Sequence, residues 1–490
     1  MSTLDRRTLV RRAAAAGGTV FTAGVIERLN VREARAAAGV SSKGAAAASG
    51  YGTPVRMRDQ LGREILALPA GFRYVTFGDI GAPMSDGNPT GIALDGMACF
   101  KAHGSKTVRL IRNHEDRRAP GAGSVGGDPA AKYDAKGGGG TTTLDFDLQR
   151  EELVRDFISL NGTIVNCAGG IAWRQRGWIT GEETVQGPAQ GWERNHGYNY
   201  FVPLDREGPA LTEPLRAMGR FAHEAVSVDQ ATGIVYQTED AGSGRGSGFY
   251  RFIPDDRNDL AEGGKLEILA IAGRPQSDLR EGQRLGARLP TTWLDIGDPD
   301  PAAATTSTVF NEGFAKGAAK FNRLEGCWEE RGTIFFASTS GGDAKNGDVN
   351  SDGFREGWGQ IWQYEARGRD RGTLTLIFES TDGSVLDGPD NLCVTPRGGL
   401  ILCEDDPSTV YSGTDTHPTA PGTTDVNRLI GLTEQGESFE FAVNTLNDSE
   451  FAGACFSPDG DWMFVNVFGD GTPGSGTTCA ITGPWKQGPL

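Results

Sequence analysis

Six segments of the chain follow one plan, and this repetition restricts the fold more than any other feature. In each segment a short apolar strand leads to a turn and then to a second apolar strand that ends in acidic or polar residues. Such a repeat is typical of a β-propeller, in which every blade is a four-stranded sheet beside a central channel. We therefore predict an all-β, six-bladed propeller, with a large β-sandwich as the alternative. The segments are residues 96–116, 170–183, 225–240, 326–343, 392–406 and 454–468.

Glycine marks the turns between the paired strands. Gly233, Gly332, Gly398 and Gly460 stand where a tight turn favours a left-handed backbone. Seventy-two glycines among 490 residues, without a collagen period, indicate many such turns rather than long helices. No linker divides the repeats, so we predict a single propeller domain over residues 56–490.

The N-terminal residues predict export. Arg6 and Arg7 belong to a basic segment ahead of a mildly apolar run at residues 13–26, and small alanines suggest cleavage after Ala38. This order is typical of a twin-arginine signal, which takes a folded protein through the twin-arginine translocase. An ordinary amphipathic N-terminal helix is the alternative interpretation.

Three regions follow from this interpretation: a signal peptide at residues 1–38, a flexible tether at 39–55, and the propeller at 56–490. The product is expected in the periplasm or secreted outside the cell, without a membrane anchor, because no other stretch approaches the ~20 apolar residues of a spanning helix. A closed propeller leaves no sheet edge to cover, so we expect a monomer.

The chain as a whole is acidic, although its first 38 residues are basic. Its net charge is −16, and it is about −20 once residues 1–38 are removed. Such a surface repels nucleic acid, which we exclude as a partner, and it suits hard cations that bind oxygen ligands.

Acids and one thiol stand just before the first strand of several repeats: Cys167, Glu224, Glu325, Asp390 and Glu450. In a propeller these innermost strands begin beside the channel, so the side chains can converge there. Buried carboxylates that crowd together repel one another and take up protons unless cations neutralise them. This pattern predicts a metal site at the central channel. The alternative is that each acid is solvated or caps a turn.

The seven cysteines show no C-x-x-C spacing, so neither a zinc ribbon nor a full disulfide framework is indicated. Cys99, Cys327, Cys393 and Cys455 recur at one place in the repeats and are interpreted as small apolar residues that pack between blades. Cys167 breaks that pattern.

From about Arg56 to Pro484 the sequence resembles the PhoX-type alkaline phosphatases, an exported bacterial family with a propeller fold. The motifs that carry the resemblance are Asn-Cys-Ala-Gly-Gly at 166–170, Gly-Glu-Glu-Thr at 181–184, Gly-Arg-Phe-Ala-His-Glu-Ala at 219–225, Phe-Tyr-Arg-Phe at 249–252, Arg-Leu-Glu-Gly at 323–326, Leu-Asp-Gly-Pro-Asp-Asn-Leu at 386–392, and Glu-Phe-Ala-Gly at 450–453.

The resemblance implies a channel cluster of iron (Fe³⁺) and calcium (Ca²⁺) that hydrolyses small phosphate monoesters for phosphate acquisition. It implies Cys167 as the iron thiolate, Glu224 and Glu325 as ligands of iron or calcium, and Arg323 as the residue that faces the substrate. His223 is either a general acid or a hydrogen-bond partner of a metal carboxylate. The resemblance also implies four further oxygen ligands, mainly to calcium: Glu182, Glu183, Asp390 and Asn391.

Two departures from the family pattern concern the second repeat. Gly181 stands where many relatives have a cysteine, and residues 171–176 replace a Trp-Gly-rich stretch. Arg174 and Arg176 in that stretch are expected to reshape the channel mouth.

Two acidic loops allow more than one interpretation. Asp348, Asn350 and Asp352 have the spacing of a calcium loop, but Gly359 stands where its bidentate glutamate belongs, so a polar surface turn is the alternative. Residues 113–116 either reach the channel rim or pair with the arginines that follow them.

Two other functions stay open at this point. One is a calcium-dependent, lactonase-like propeller hydrolase, which has no evident need for Cys167 or Arg323. The other is a non-enzymatic binding propeller that metal stabilises.

Overall fold

The computed structural model describes residues 50–102, 106–405 and 426–490. The predicted signal peptide and most of the predicted tether lie outside the described residues. The described part forms strands almost throughout, as predicted, and none of its helices is long and apolar enough to cross a membrane. In chain order the elements are β1 (Val55–Met57), β2 (Leu66–Leu68), β3 (Arg73–Phe77), β4 (Leu94–Lys101), β5 (Thr107–His114), β6 (Gly139–Asp147), β7 (Glu152–Thr163), β8 (Asn166–Ile171), β9 (Gly177–Glu182), β10 (Asn199–Pro203), β11 (His223–Val228), β12 (Val235–Glu239), β13 (Phe249–Pro254), β14 (Gly264–Ile271), β15 (Arg288–Asp295), α1 (Thr308–Lys316), β16 (Leu324–Glu330), β17 (Thr333–Ser338), β18 (Lys345–Val349), β19 (Arg355–Gly357), β20 (Gln360–Ala366), β21 (Arg371–Glu379), β22 (Pro389–Val394), β23 (Leu400–Glu404), β24 (Arg428–Leu432), β25 (Ser438–Asn444), β26 (Phe451–Phe456), β27 (Trp462–Val467) and β28 (Thr477–Thr482).

The sheets repeat one antiparallel, up-and-down order. The first comprises β4-β5-β6-β7, and the next has only three strands, β8-β9-β10. β11 to β14 and the later unit β16-β17-β20-β21 share one nine-stranded sheet, because β15 follows β14 and pairs with β21. The sheet β22-β23-β24-β25 extends outward through β2 and β1, and β18-β19 is a separate hairpin.

The six strands β4, β8, β11, β16, β22 and β26 form a closed inner ring. Each contacts the next in chain order, and β26 contacts β4. β3, from early in the chain, pairs with β28 with Tyr74 opposite Ile481, and thereby completes the last sheet. The predicted β-propeller is confirmed, and the sandwich alternative is wrong. The inner strands correspond one to one to the repeats found in the sequence.

Apolar side chains fill the spaces between neighbouring blades. Phe441 and Met463 belong to one such core, between the β22-β25 sheet and the β26-β28 sheet. In another core the rings of Phe249 and Phe336 stack with their centroids 4.3 Å apart. Full burial of one large apolar side chain stabilises a fold by about 1.5–3 kcal/mol, so these cores bind the blades together. The turn glycines Gly233, Gly332, Gly398 and Gly460 have φ of 75°, 79°, 89° and 71°, as their positions predicted.

Tyr51 falls within the predicted tether at residues 39–55, but it packs on the propeller. Its hydroxyl donates a hydrogen bond to the carbonyl of Trp485 at 3.0 Å, and its ring meets Phe72 edge to face with centroids 4.9 Å apart. The folded domain therefore begins no later than Tyr51.

Candidate metal centre

Every inner strand begins with an irregular register in its pairing with the second strand of the same blade. The pairing shifts between residues 166 and 169 in β8 and between 223 and 226 in β11, and β4, β16, β22 and β26 show the same feature. A bulge frees residues from the hydrogen-bond ladder and re-aims their side chains. The residues at these irregular positions include Asp95, Cys167, Glu224, Glu325 and Asp390.

These side chains gather with further acids at one end of the inner ring. Their ligand atoms form four overlapping groups, and within each group all the atoms lie within 4.8 Å of one another. Neighbouring groups share a residue, so together they make one continuous set, which we call the channel cluster. The groups are Asp95 with Glu115 and Cys167, Cys167 with Glu183 and Glu224, Glu224 with Glu325 and Asp390, and Asp390 with Asp405 and Glu450.

The remaining members of the channel cluster come mainly from the ends of second strands. Glu115 follows β5, Glu183 follows β9 and Asp405 follows β23, while Glu450 precedes β26. In an antiparallel pair the end of the second strand lies beside the start of the first. Acids at the start of an inner strand and acids at the end of the second strand therefore lie at the same end of the channel.

Burial and mutual repulsion raise the pKa of these carboxylates. The pKa of Glu224 is raised well above its ordinary value, first by burial and then by the charges of Glu325 and Asp390. Burial also raises the pKa of Asp390 to about 7, with repulsion from Asp405 next. The pKa of Glu183 likewise rises to about 7 through burial, although Arg117 opposes the shift. Without cations, these groups hold protons at a pH where isolated carboxylates are charged.

Glu224, which belongs to two groups of the channel cluster, has no internal donor in the described part of the chain. Both of its carboxylate oxygens are buried, and neither has a hydrogen-bond partner among the described residues. A buried polar group without a partner costs about 1–3 kcal/mol, and more when it is charged. Carboxylate oxygens suit calcium, and the thiolate of Cys167 suits a softer metal such as iron. The donor set therefore fits the predicted cations.

Arg323 lies at the rim of the channel cluster. Its Nε and Nη2 donate to Oδ2 of Asp240 at 3.1 and 2.9 Å, and Nη2 lies 3.1 Å from Oε1 of Glu325. The side chain is 28% exposed, whereas Asp240 is buried. Arg117 is the second arginine at the cluster, where it pairs with Glu115 and Glu183 and remains more than half exposed. Both guanidinium groups are thus fixed by acids yet accessible to an anion.

Residues 50–471 match the family model described as alkaline phosphatase PhoX. The chain belongs to the alkaline phosphatase PhoX family. The resemblance that the motifs indicated is thereby confirmed, and so is the predicted enzyme class, a phosphomonoesterase. No protein among the curated sequences matches the chain.

Solved structures with a similar fold include Pseudomonas fluorescens PhoX in complex with vanadate, a transition state analogue. That structure is 17% identical in sequence, with a TM-score of 0.63, and the match covers 88% of this chain and 97% of that chain. The likeness shows a shared fold. A gluconolactonase from Xanthomonas campestris, XC5397, is 12% identical in sequence, with a TM-score of 0.41, and the match covers 88% of this chain and 95% of that chain.

The PhoX resemblance implies both Glu182 and Glu183 as ligands, but the structure brings only Glu183 to the channel cluster. Oε1 of Glu182 lies 2.6 Å from Nδ1 of His196, and Oε2 accepts a hydrogen bond from the amide of Gly197 at 2.8 Å. Successive residues of a strand point to opposite faces, so the two neighbours cannot both face the channel. Glu182 instead forms a separate buried site with His196 and Asp134, which we call the Glu182 pocket.

His223 does not present a proton to the channel. Its Nε2 lies 2.9 Å from the carbonyl oxygen of Gly219 and must donate to it, and its Nδ1 accepts from Nδ2 of Asn199 at 3.0 Å. Burial lowers the pKa of His223 to about 4, so the ring is neutral. With both nitrogens engaged outside the channel cluster, His223 fixes the start of β11 and is not placed to act as a general acid.

Asn391 supports a carboxylate rather than presenting an oxygen. Its Nδ2 donates to Oδ1 of Asp390 at 2.6 Å, and its Oδ1 accepts from the amide of Gly453 at 2.8 Å. The side chain thus orients Asp390 and ties β22 to β26. Its predicted role as an oxygen ligand has no support in this arrangement.

Four members of the channel cluster were not among the ligands that the PhoX resemblance implies, although the sequence carried a signal for each. Asp95 stands immediately before the first repeat, as Glu224 stands before the third. Glu115 and Asp405 lie in the acidic endings of repeats, and Glu450 precedes the last one. Glu115 both reaches the cluster and pairs with Arg117, so residues 113–116 satisfy both interpretations.

Two other sequence features lie away from the channel cluster. Arg174 and Arg176 occupy the turn after β8, whereas Cys167 lies at the start of that strand, so the two arginines lie at the opposite end of β8 from the channel cluster. In the calcium-like loop, Oδ2 of Asp352 accepts hydrogen bonds from Arg280 at 2.6 Å and Lys320 at 3.1 Å. That carboxylate is already neutralised, which favours the polar surface turn.

The cysteines divide as the sequence predicted. All seven are free thiols, and six of them belong to apolar cores between or within blades. Cys99 and Cys455, from the first and last repeats, share one core. Cys167 alone lies among carboxylates.

Proposed function

We propose that this member of the PhoX family hydrolyses phosphate monoesters with iron and calcium bound in the channel cluster, releasing inorganic phosphate. The observation that carries the proposal is Glu224, whose buried carboxylate has no internal donor and belongs to two of the overlapping groups. The vanadate complex of Pseudomonas fluorescens PhoX adds support, since vanadate is described there as a transition state analogue.

The ligand types suggest how the channel cluster would divide between the cations. Cys167 supplies the soft sulfur that iron accepts, with Glu183 and Glu224 beside it, whereas Glu325 and Asp390 offer the oxygens that calcium prefers. When bound, such cations screen the charge of a phosphate ester and make water a stronger nucleophile.

The arginines of the chain would bind and orient the substrate. Asp240 fixes Arg323 from one side, so its planar fork can meet two phosphate oxygens without first losing conformational freedom. These hydrogen bonds strengthen as charge gathers on the equatorial oxygens during phosphoryl transfer. Asp240 is therefore a positioning residue for Arg323.

Two matched substitutions test the proposal. Cys167→Ala and Cys393→Ala each remove one buried thiol, the first from the channel cluster and the second from an apolar core. Loss of a residue that merely hydrogen-bonds to a metal ligand typically lowers metal affinity or activity by about 10–100-fold. Removal of a ligand itself should therefore lower kcat by more than about 100-fold. We expect this loss, together with loss of bound iron, for Cys167→Ala alone. Equal activity and iron content in the two variants would contradict the proposal.

We also propose that residues 1–38 direct export through the twin-arginine translocase, after which the protein acts outside the cytoplasm as a monomer. Free thiols throughout the domain support folding before export, since the cytosol keeps cysteines reduced. Replacing Arg6 and Arg7 together by lysine should leave the protein in the cytoplasm, as cell fractionation would show. Unchanged export of this double variant would overturn the assignment.

A further inference from the structure

A cavity lies between the blades of β8-β10 and β11-β14, away from the channel cluster. Its volume is 270 Å³, slightly below the range of about 300–1,000 Å³ that drug-sized ligands occupy, so it suits a smaller molecule. The turns that line it follow β8, β11 and β13, whereas the channel cluster lies where inner strands begin. β8 has six residues and is therefore roughly 20 Å long, which separates the two sites.

The inner wall of this cavity is apolar. Ile179, Val228 and Val235 line it and belong to the same buried core, and Phe201 adds part of an aromatic ring. At the rim Leu211 is 53% exposed and extends this apolar surface. A ligand with a short hydrocarbon or aryl tail would remove this surface from water.

The rim of the cavity carries guanidinium groups although the chain as a whole is acidic. Arg176, Arg206 and Arg257 line it, against the acids Glu213 and Asp259. The side chain of Arg257 is exposed, and its guanidinium lies over the ring of Trp173. An arginine stacked in this way keeps its N–H edge free to meet a carboxylate.

The turn that supplies Trp173 and Arg176 is strained and is tied to the next blade. Arg174 and Gln175 have φ of 58° and 54°, a backbone conformation that residues other than glycine rarely adopt. The backbone amide of Arg174 donates to Oε1 of Gln230 at 2.7 Å, and Nε1 of Trp173 donates to the carbonyl of Gln230 at 3.1 Å. Strain that neighbouring structure maintains is common at binding sites. Here the hydrogen bonds to Gln230 hold the strained turn, and with it the ring of Trp173 and the side chain of Arg176, at the opening of the cavity.

We propose that this cavity binds a small amphipathic carboxylate, with the tail against Ile179 and Val235 and the carboxylate at Arg257 and Arg176. The site is separate from the phosphatase centre and does not depend on the proposed function.

Titration calorimetry of the full chain tests the proposal, with octanoate as the probe and acetate and 1-octanol as controls for tail and charge. Octanoate should bind at least about tenfold more tightly than either control, because only octanoate combines an apolar tail with a charge-assisted hydrogen bond. Binding of octanoate no tighter than acetate, or equal binding of octanoate and 1-octanol, would overturn the proposal.

Three variants sharpen the test. Arg257→Gln removes one rim charge and should weaken octanoate binding about fivefold or more, and Ala261→Trp should fill the cavity from its exposed turn and abolish binding. Arg284→Gln, an exposed arginine outside the cavity, should leave the affinity unchanged. Thermal unfolding without ligand shows that each variant is folded. Octanoate affinity within twofold of the parent in both Arg257→Gln and Ala261→Trp would refute the site.

Discussion

The channel cluster and the Glu182 pocket both bury carboxylates, but they satisfy them differently. In the Glu182 pocket, His196 and backbone amides supply donors to the carboxylate of Glu182. In the channel cluster, the oxygens of Glu224 have no hydrogen-bond partner among the described residues. Burial of acids alone therefore does not mark a metal centre. The shortage of internal donors does, because it leaves a charge that only a cation or a proton can balance.

The largest expected effect is that of Glu224→Gln. The amide has no negative charge and offers one oxygen in place of two, so it binds a cation more weakly than the carboxylate does. The kcat for a chromogenic phosphate monoester should therefore fall by more than about 100-fold, with less metal bound. The same change removes one repelling group, so the metal-free protein should unfold at an equal or higher temperature. Activity and metal content close to those of the parent would show that Glu224 is not a ligand.

Glu182→Gln should give the opposite result. It removes the nearer of the two acids that pair with the buried His196, at 2.6 Å as against 3.4 Å for Asp134. The free energy of unfolding should therefore fall by about 3 kcal/mol in urea titrations. The folded variant should keep its bound metal and its activity. A variant that keeps its stability but loses metal would contradict this account and show that Glu182 is a ligand of the channel cluster.

The two regions should also differ in their dependence on pH. Asp390 and Glu183 have a pKa raised to about 7 from ordinary values of 3.8 and 4.5, chiefly by burial. The folded metal-free protein therefore holds their protons more tightly than the unfolded chain does. The stability that these groups contribute is fully present below about pH 4 and is lost as the pH rises through 7.

The Glu182 pocket titrates in a higher window. Burial lowers the pKa of His196, but Glu182 and Asp134 outweigh it and raise the pKa to about 9. Its contribution is present below pH 6.5 and is lost as the pH rises through 9. The unfolding temperature of chelator-treated protein should thus decline twice, from about pH 4 to 7 through the channel cluster and from pH 6.5 to 9 through the Glu182 pocket. Added calcium should remove only the first decline, because it binds only at the channel cluster. A decline from pH 4 to 7 that calcium leaves unchanged would contradict the assignment.

The smallest expected effect is that of Arg323→Lys. Lysine keeps the charge but loses the fork that Asp240 holds, so KM should rise about tenfold, the equivalent of one charge-assisted hydrogen bond. Bound metal should stay unchanged. A loss of metal without a change in KM would assign Arg323 to the assembly of the channel cluster instead of to the substrate.

Sequence reasoning found the propeller because each repeat carries its own strands and turn, and it found the convergence of Cys167, Glu224, Glu325 and Asp390 because inner strands begin at the channel. It could not separate Glu182 from Glu183. The choice depends on which face of β9 meets the channel, and no feature of two adjacent glutamates reveals this.

The bulges explain why Asp95 was left out, and they also place Cys167, Glu224, Glu325 and Asp390 at the channel. Regular alternation would not give every inner strand an acid or thiol facing the channel, and the register shifts that re-aim these residues depend on pairing between distant segments. His223 shows the same limit, since its hydrogen bonds to Asn199 and Gly219 arise only in the folded blade.

The most direct test is the metal content of natively exported protein, measured beside hydrolysis of a chromogenic phosphate monoester with and without added calcium. We predict that iron and calcium are both bound and that turnover depends on them. Calcium alone without phosphate release, or full turnover in protein that holds neither metal, would contradict the account.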